Sequence, residues 1–352
     1  MGADGAGPAA GPGVDLGRFG VVAIGRNEGP RLAECLASIR IAGPVVFVDS
    51  ASTDGSAGLA RGLGVAVVEL DPGRPFTPAR ARAEGVGRLL ALAPRLEFAM
   101  FLDGDCTLAE GWPGRAVAEL DADPAVAVVC GRRRERDPGR SVFRRLMDIE
   151  WDTPVGEAGS CGGDAAFRVR AYLGVGGYDP SLAVGEEPEI CHRLRAGGWR
   201  VLRVDAEMSV HDMGEASAGP WWRRNVRQGY GAADVARRFP GPAGPYLRRI
   251  VSDWAWGVAV PSASALASAL GPAALGGSPA ACGLAVLLVY PLQALRLALA
   301  IRPRTPDART ALAYALGNLA SKWAHLAGQL AYLREWAAGR PPRLIEYRLS
   351  RR

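Results

Sequence analysis

The stretch Phe98-Ala-Met-Phe-Leu-Asp-Gly-Asp105 decides how this chain is read. Its apolar run is too short for a free-standing helix and suits a strand buried on both faces of a parallel sheet. The run ends abruptly in two carboxylates separated by Gly104. Asp103 and Asp105 therefore stand at the carboxyl end of the strand, where open α/β sheets bind ligands. Gly104 permits a sharp turn and the close approach of a substrate. Two hard oxygen ligands at such an edge suit a divalent cation completed by substrate phosphates. Asp-Gly is equally a common surface turn, and the flanking sequence has to decide between the two.

Upstream, residues 19–24 read as a first strand, followed by the polar turn Gly25-Arg-Asn-Glu28. Pro30 opens a helix to about 39 with Leu32, Cys35 and Leu36 on one face. A second strand over 45–48 ends in Asp49-Ser-Ala-Ser-Thr-Asp54-Gly-Ser, rich in capping side chains, and feeds a helix near 55–62. A third strand covers 65–70. Thr77 as N-cap and Pro78 at the first helical position begin a helix to about 93. Beyond the opening stretch, a helix near 110–121 and a strand near 125–130 extend the pattern. Such alternation predicts a doubly wound, mostly parallel α/β sheet of Rossmann-like type. No G-x-G-x-x-G follows the first strand and no Walker A sequence occurs, which argues against dinucleotide dehydrogenases and P-loop enzymes.

The 352 residues, 49% hydrophobic and 22% charged, describe a folded protein with room for a large domain and an appendage. The +6 formal charge favours an anionic partner. Arginines crowd between 131 and 145 (Arg132, Arg133, Arg134, Arg136, Arg140, Arg144 and Arg145), which reads as a solvated loop or as a contact for phosphate or anionic lipid. Aromatic residues do not interleave with them as a nucleic-acid stacking surface would need, so nucleic acid is not the expected partner. Six scattered cysteines without zinc spacing fit structural thiols in a reducing cytosol. Residues 1–18, rich in Gly, Ala and Pro, are expected to be a disordered tail. They lack the basic start and apolar core of a secretory signal, so the following domain is expected in the cytosol.

Downstream, Gly159-Ser-Cys-Gly-Gly-Asp164 reads as a glycine turn whose Asp164 could cap a helix over 165–173. Gly185-Glu186-Glu187-Pro188-Glu189 launches a short amphipathic helix over 190–196. Carboxylates at a helix start interact favourably with its dipole, or they serve chemistry. A strand over 199–204 precedes His211.

Taken together, residues 19 to about 230 resemble the family-2 glycosyltransferases, which have a GT-A fold. The matching features occur in the family's order. Asn27-Glu28 follows the first strand, Asp49 with Ser52-Thr53-Asp54-Gly55 the second, and Ala81-Arg82-x-x-Gly85 lies on the third helix. Asp103-Gly-Asp105 matches the D-x-D motif, Gly162-Gly163-Asp164 the acceptor-side loop, and Glu186-Glu187 the usual Glu-Asp catalytic pair. His211 stands where several members place a further metal ligand.

This resemblance implies roles. Asn27, Glu28, Asp49, Asp54, Arg82 and Asp103 would form the donor side, with Asp49 and Glu28 on the base and ribose of a sugar nucleotide and Arg82 near its diphosphate. Asp105, Asp103 and His211 would hold Mn²⁺ or Mg²⁺, and the imidazole tilts the choice towards Mn²⁺. Glu187, or its neighbour Glu186, would take the proton of an acceptor hydroxyl attacking the anomeric carbon, with inversion. The family more often has aspartate where this chain has Glu187, and often two aspartates where it has Asp49-Ser50. The Gln-x-x-Arg-Trp signature of processive members is absent, which favours transfer of a single sugar.

After Asp253 no charged residue occurs until Arg296. That run is long enough for two membrane spans, expected over 254–272 and 280–301 with a break at Gly276-Gly277-Ser278-Pro279. Arginines at 248, 249, 302 and 304 place both flanks in the cytosol. Residues 308–336 form an amphipathic stretch interrupted by Lys322, His325 and Arg334, expected to lie at the interface. The domains expected are thus a GT-A domain over 19–235 and a helical membrane region over 246–352. The function expected is inverting, non-processive transfer of one sugar from a nucleotide-sugar donor to a saccharide or lipid-linked acceptor, through its hydroxyl or phosphate. It would take place at the cytoplasmic face of the cell (inner) membrane. The alternatives are a non-catalytic nucleotide-sugar-binding module and a sugar nucleotidyltransferase. The latter expects a glycine-rich, basic loop after the first strand, which Gly25-Arg-Asn-Glu28 lacks.

Overall fold

The computed structural model describes residues 15–340, apart from 215, 241–243 and 276. The chain divides into two compact units, Met1–Asp137 with Glu150–Gly214, and Pro138–Ile149 with Glu215–Arg352. The helix that begins at Ala218 falls within the second unit. Most of the expected disordered tail lies outside the described residues. Its last part is ordered: Leu16–Arg18 form a 3-10 turn in which Asp15 accepts the Gly17 N–H at 2.8 Å.

In chain order the first unit runs β1 (Phe19–Gly25), α1 (Pro30–Ser38), β2 (Val45–Asp49), α2 (Ser56–Gly62), β3 (Ala66–Glu69), α3 (Pro78–Leu92), β4 (Phe98–Asp103), β5 (Cys106–Leu108), α4 (Trp112–Ala122) and β6 (Val126–Glu135). After α5 (Val142–Trp151) come β7 (Gly156–Glu157), β8 (Ala165–Arg168), α6 (Val169–Gly174), α7 (Glu186–Ala196) and β9 (Arg200–His211). The sheet order is β3-β2-β1-β4-β8-β6-β9-β5, with β7 also paired to β9. Strands β3, β2, β1 and β4 are parallel, as the strand–helix alternation requires. Beyond β4 the sheet is mixed, since β8 inserts antiparallel between β4 and β6. The apolar residues of β1 and β4 are buried on both faces, which is why these strands read as continuous hydrophobic runs.

Two local expectations are overturned. The arginine-rich segment is not a loop at its start, because β6 continues through Arg132, Arg133 and Arg134 to Glu135, paired in parallel with β9 as far as His211. Asp164 does not cap a helix. It precedes strand β8, and α6 begins only at Val169.

The second unit is helical. After α5 contributes its first turns, it comprises α8 (Ala218–Arg238), α9 (Leu247–Trp254), α10 (Val260–Leu275), α11 (Pro279–Leu287), α12 (Val289–Ile301) and α13 (Ala308–Ala337). A π-helical stretch, Ala255–Ala259, joins α9 to α10, and the Tyr290 hydroxyl donates to the Trp256 carbonyl within it. Leu247–Ala274 and Pro279–Arg304 are each long and apolar enough to cross a membrane, and few of their residues are buried. Helices α8 and α13 approach closely through glycine. A Cβ at Gly229 would fall 2.1 Å from the His325 carbonyl oxygen, and one at Gly328 2.0 Å from that of Val226. Between these helices and α9, Asp253 is wholly buried. Its Oδ1 lies 3.2 Å from His325 Nδ1 and 3.4 Å from Lys322 Nζ, and its Oδ2 accepts from Gln329 Nε2 at 2.9 Å.

Candidate active site

Helix α3 sets the site's base. Thr77 accepts the Arg80 N–H at 3.1 Å as N-cap, and Gly85 lets the helix lie directly on the sheet. A Cβ there would come within 2.3 Å of Val22 and 2.9 Å of Val48. One turn before Gly85, this close seat buries Arg82 at 2% exposure. Its guanidinium donates to Asp103 Oδ1 at 2.9 Å and to Glu186 Oε1 at 2.7 Å, stands 3.8 Å from Glu187 Oε1, and lies over the Tyr178 ring. Arg82 thus ties the strand ending at Asp103 to the start of α7. Its own carboxylates enclose it, so its geometry is that of a clamp rather than of a diphosphate contact.

Asp103 has both oxygens engaged, Oδ1 by Arg82 and Oδ2 by Arg133 at 3.2 Å. Burial alone would raise its pKa, but Arg133 and Arg82 outweigh it and hold the carboxyl below its ordinary range. Gly163 is seated tightly against this cluster: a Cβ would lie 2.8 Å from Asp103 Oδ2 and 3.0 Å from Arg82 Nη2, so these side chains would have to shift. Gly162 adopts a left-handed φ of 73°. Asp164 is buried beneath the loop, accepting the Asp103 N–H at 2.9 Å and the Ser209 hydroxyl at 2.6 Å. It therefore latches the loop to β4 instead of facing an acceptor.

Asp105 and His211 stand together, with Oδ2 and Nε2 3.2 Å apart. Both are buried. The other ring nitrogen, Nδ1, lies 2.8 Å from Glu135 Oε2, and Trp151 packs its ring edge-on at 4.8 Å. A carboxylate beside an imidazole whose far nitrogen faces a second carboxylate is a donor set suited to a divalent cation. Asp105 and His211 fit such an ion. Asp103, engaged by two arginines, does not offer the same freedom. Asp103, Cys106 and Asp164 also place ligand atoms within 4.8 Å of one another. Within that second group, however, both aspartates are already hydrogen-bonded or ion-paired.

The two glutamates of α7 differ in environment. Gly185 turns the chain with φ 88°, and the first helical turn carries Glu186, Glu187 and Glu189. Glu186 is buried against Arg82, whereas Glu187 remains 20% exposed and farther from it. Burial and the neighbouring Glu186 charge raise the Glu187 pKa to about 7, against the opposing pull of Arg82. A carboxylate poised there can exchange a proton near neutrality.

On the opposite side, Asp49 is 2% exposed. Its Oδ2 accepts the Ser52 N–H at 2.9 Å, while Oδ1 has no hydrogen-bond partner among the described residues. Asn27 adopts a positive φ of 57° and is spent on the neighbouring loop: its N–H donates to Ser52 Oγ and its Oδ1 accepts the Thr53 N–H. Asp54 is not brought to the site. Its oxygens accept from Gly29 and Ser56, bracing the start of α2. Glu28 is buried and ion-paired with Arg31 at 2.7 Å.

Two residues escaped the sequence reading, Arg133 and Glu135. Both lie inside a charge run that reads equally as a solvated loop or as a contact for phosphate or anionic lipid. Strand alternation, with Arg134 outward on Glu207 and its neighbours inward, is the signal that separates them.

A family model described as glycosyl transferase family 2 matches residues 21–169. Over 182 residues, 47% of this chain, the sequence is 28% identical to the succinoglycan biosynthesis protein ExoA of Rhizobium meliloti, 53% of which is covered. It is also 28% identical over 181 residues to a pre-mycofactocin glycosyltransferase of Mycobacterium tuberculosis, covering 48% of this chain and 37% of that protein. The match thus spans about half the length of the first relative and less of the second. Among solved structures, a mannosyltransferase from Pyrobaculum calidifontis in complex with GDP-Man and Mn²⁺ shares the fold. Its TM-score is 0.55 at 23% identity, over 89% of this chain and 87% of that one. With a GT-A sheet that assembles the Asp103–Asp105 edge, residues 21–169 carry the match to glycosyl transferase family 2.

Proposed function

We propose that the chain is an inverting glycosyltransferase moving a single sugar from a nucleotide-sugar donor to an acceptor hydroxyl or phosphate. The observation that carries this reading is the contrast within Glu186-Glu187: one carboxylate is locked by Arg82, and its neighbour is partly open with a pKa of about 7. Glu187 is the base. Its carboxylate takes the acceptor proton as the oxygen attacks the anomeric carbon from the face opposite the departing diphosphate. Glu186 and Arg82 set the position and charge of that base. The Oδ1 of Asp49 accepts from the nucleoside, and the hydrogen-bonded loop around Asn27 holds Asp49's neighbours in place. Asp105 and His211 are the residues that would hold Mn²⁺ or Mg²⁺. Such an ion supplies neutralisation of the charge on the leaving nucleoside diphosphate.

The acceptor we infer is membrane-borne, lipid-linked or saccharide, with the catalytic unit on the cytoplasmic face. The two long apolar helices and the arginines at 248, 249, 302 and 304 support this reading. The deciding experiment screens sugar nucleotides against the full chain in detergent by thermal shift, with and without Mn²⁺. The active donor is then followed by determining the product's anomeric configuration. One donor should raise the melting temperature in a metal-dependent way and give an inverted product. Retention at the anomeric carbon overturns the assignment of Glu187 as base. Binding without turnover in any membrane extract favours a non-catalytic module.

A further inference from the structure

Glu135 has no place in the transfer chemistry as proposed, yet it is 3% exposed at the end of β6, directly across the β6–β9 ladder from His211. Its two oxygens face different partners on the same neighbouring segment. Oε2 lies 2.8 Å from His211 Nδ1, and Oε1 accepts the Met213 N–H at 3.1 Å. The carboxylate therefore grips both the imidazole ring and the backbone just beyond it. On the ring's flank, Trp151 packs edge-on, and its own face is covered by Arg133 at 4.8 Å. The ring can neither flip nor swing without breaking one of these contacts. Rotation would cost the hydrogen bond to Glu135.

We infer that Glu135 is a positioning residue for the metal site. It accepts the Nδ1 proton of His211, which fixes the tautomer whose Nε2 lone pair is turned towards Asp105 and a divalent cation. The inference rests on the reading of Asp105 and His211 as cation ligands, and it assigns the selection of the ligating nitrogen to a residue that touches neither substrate nor metal. Outer carboxylates of this kind typically change metal affinity by about 10- to 100-fold. The bulges between Cys130, Arg132 and Arg133 set the β6 register that turns Glu135 and Arg133 inward together.

The test uses the full chain in detergent and reads Mn²⁺ affinity directly, from the free Mn²⁺ signal in electron paramagnetic resonance. Glu135→Ala should weaken Mn²⁺ binding about 10- to 100-fold, and Glu135→Asp should recover part of the loss. Nucleoside diphosphate binding measured without metal should stay unchanged in both. A second readout is the nitrogen spectrum of the three histidines, His192, His211 and His325. In the wild type with a diamagnetic divalent ion, His211 should carry its proton on Nδ1 alone, and Glu135→Ala should mix the tautomers. Unchanged Mn²⁺ affinity in folded Glu135→Ala overturns the inference, as does an equal loss of metal-free nucleotide binding. His211→Ala separates the layers. If that variant also binds Mn²⁺ normally, the ligand reading itself fails. If it alone loses affinity, only the role of Glu135 does.

Discussion

Arg82 donates to Glu186 at 2.7 Å across two elements far apart in sequence, the third helix and the helix that carries the proposed base. One buried guanidinium thereby sets the electrostatics of both ends of the site. Together with Arg133 it lowers the Asp103 pKa; it also spends Glu186 on structure and leaves Glu187 with only a weaker, longer contact. The pairing explains how two adjacent glutamates acquire different tasks without any difference in side-chain chemistry.

The pH dependence follows from Glu187. With its pKa raised to about 7, the proposed base loses its proton as the pH rises through neutrality. Turnover is therefore expected to climb through pH 7 to an alkaline plateau. Glu187→Gln should lower kcat by about 10²- to 10⁴-fold and abolish that limb while donor affinity persists. A raised carboxylate pKa also means that ionisation opposes folding, in full above pH 7 and not at all below the unfolded value. Glu187→Gln should consequently melt higher than the wild type at pH 8, and the gain should vanish near pH 4. Melting curves at the two pH values check the sign.

Removing the clamp tests the other half of the pairing. Arg82→Met leaves Asp103 and Glu186 without their shared cation in a buried setting, and a broken buried pair costs about 3–5 kcal/mol. Urea unfolding should show a loss of that order. Because Arg82 pulls the Glu187 pKa down, any residual activity should rise at a higher pH than in the wild type. A variant with wild-type stability and an unshifted profile contradicts the clamp.

The glycine loop offers a sharper contrast between neighbouring positions. Gly163→Ala would drive a Cβ to within 2.8 Å of Asp103 and 3.0 Å of Arg82. The displacement needed at the reaction centre is expected to cost about 10²-fold in kcat/KM. Gly159, four residues earlier, has nothing within 4 Å of the same added atom and no left-handed φ. Gly159→Ala should be neutral. Equal behaviour of the two variants would falsify the steric account.

Much of the first unit was legible because its signals are local. Pro30, Thr77 and Pro78 mark helix starts, and the apolar runs at 19–24 and 98–102 could only be buried strands. The site was legible only in outline. Asp103, Asp105 and His211 were visible as types at a strand edge, but which of them pairs with arginine depends on contacts between residues far apart in the chain. Arg133 is one of seven arginines that read alike, as solvated or as a phosphate contact, and only the continuation of β6 through it singles it out. Asp164 looked like a cap because a carboxylate before an apolar run serves equally before a strand. Short-range patterns fix where elements begin, whereas partner choice across the sheet is set by register, and β6 carries bulges that displace it.

Helix α13 exposes several leucines while it buries several polar groups, and this carries a prediction about its surroundings. On α13, Ser321, His325, Gln329 and Glu335 are buried, whereas Leu312, Leu316, Trp323, Leu330 and Leu333 are between 41% and 53% exposed. Between Arg309 and Arg334 the helix exposes no charged residue, since Lys322, which interrupts the sequence pattern, turns inward to Asp253. Polar groups satisfied within and leucines outside is the arrangement a hydrocarbon surrounding favours. In vesicles, lipids brominated on the acyl chain should therefore quench tryptophan emission. The Trp323→Phe variant should lose part of that quenching and none of the quenching by aqueous iodide. The opposite pattern, iodide reaching Trp323 and brominated lipid failing to, would place this face in water and remove α13 from the membrane contact.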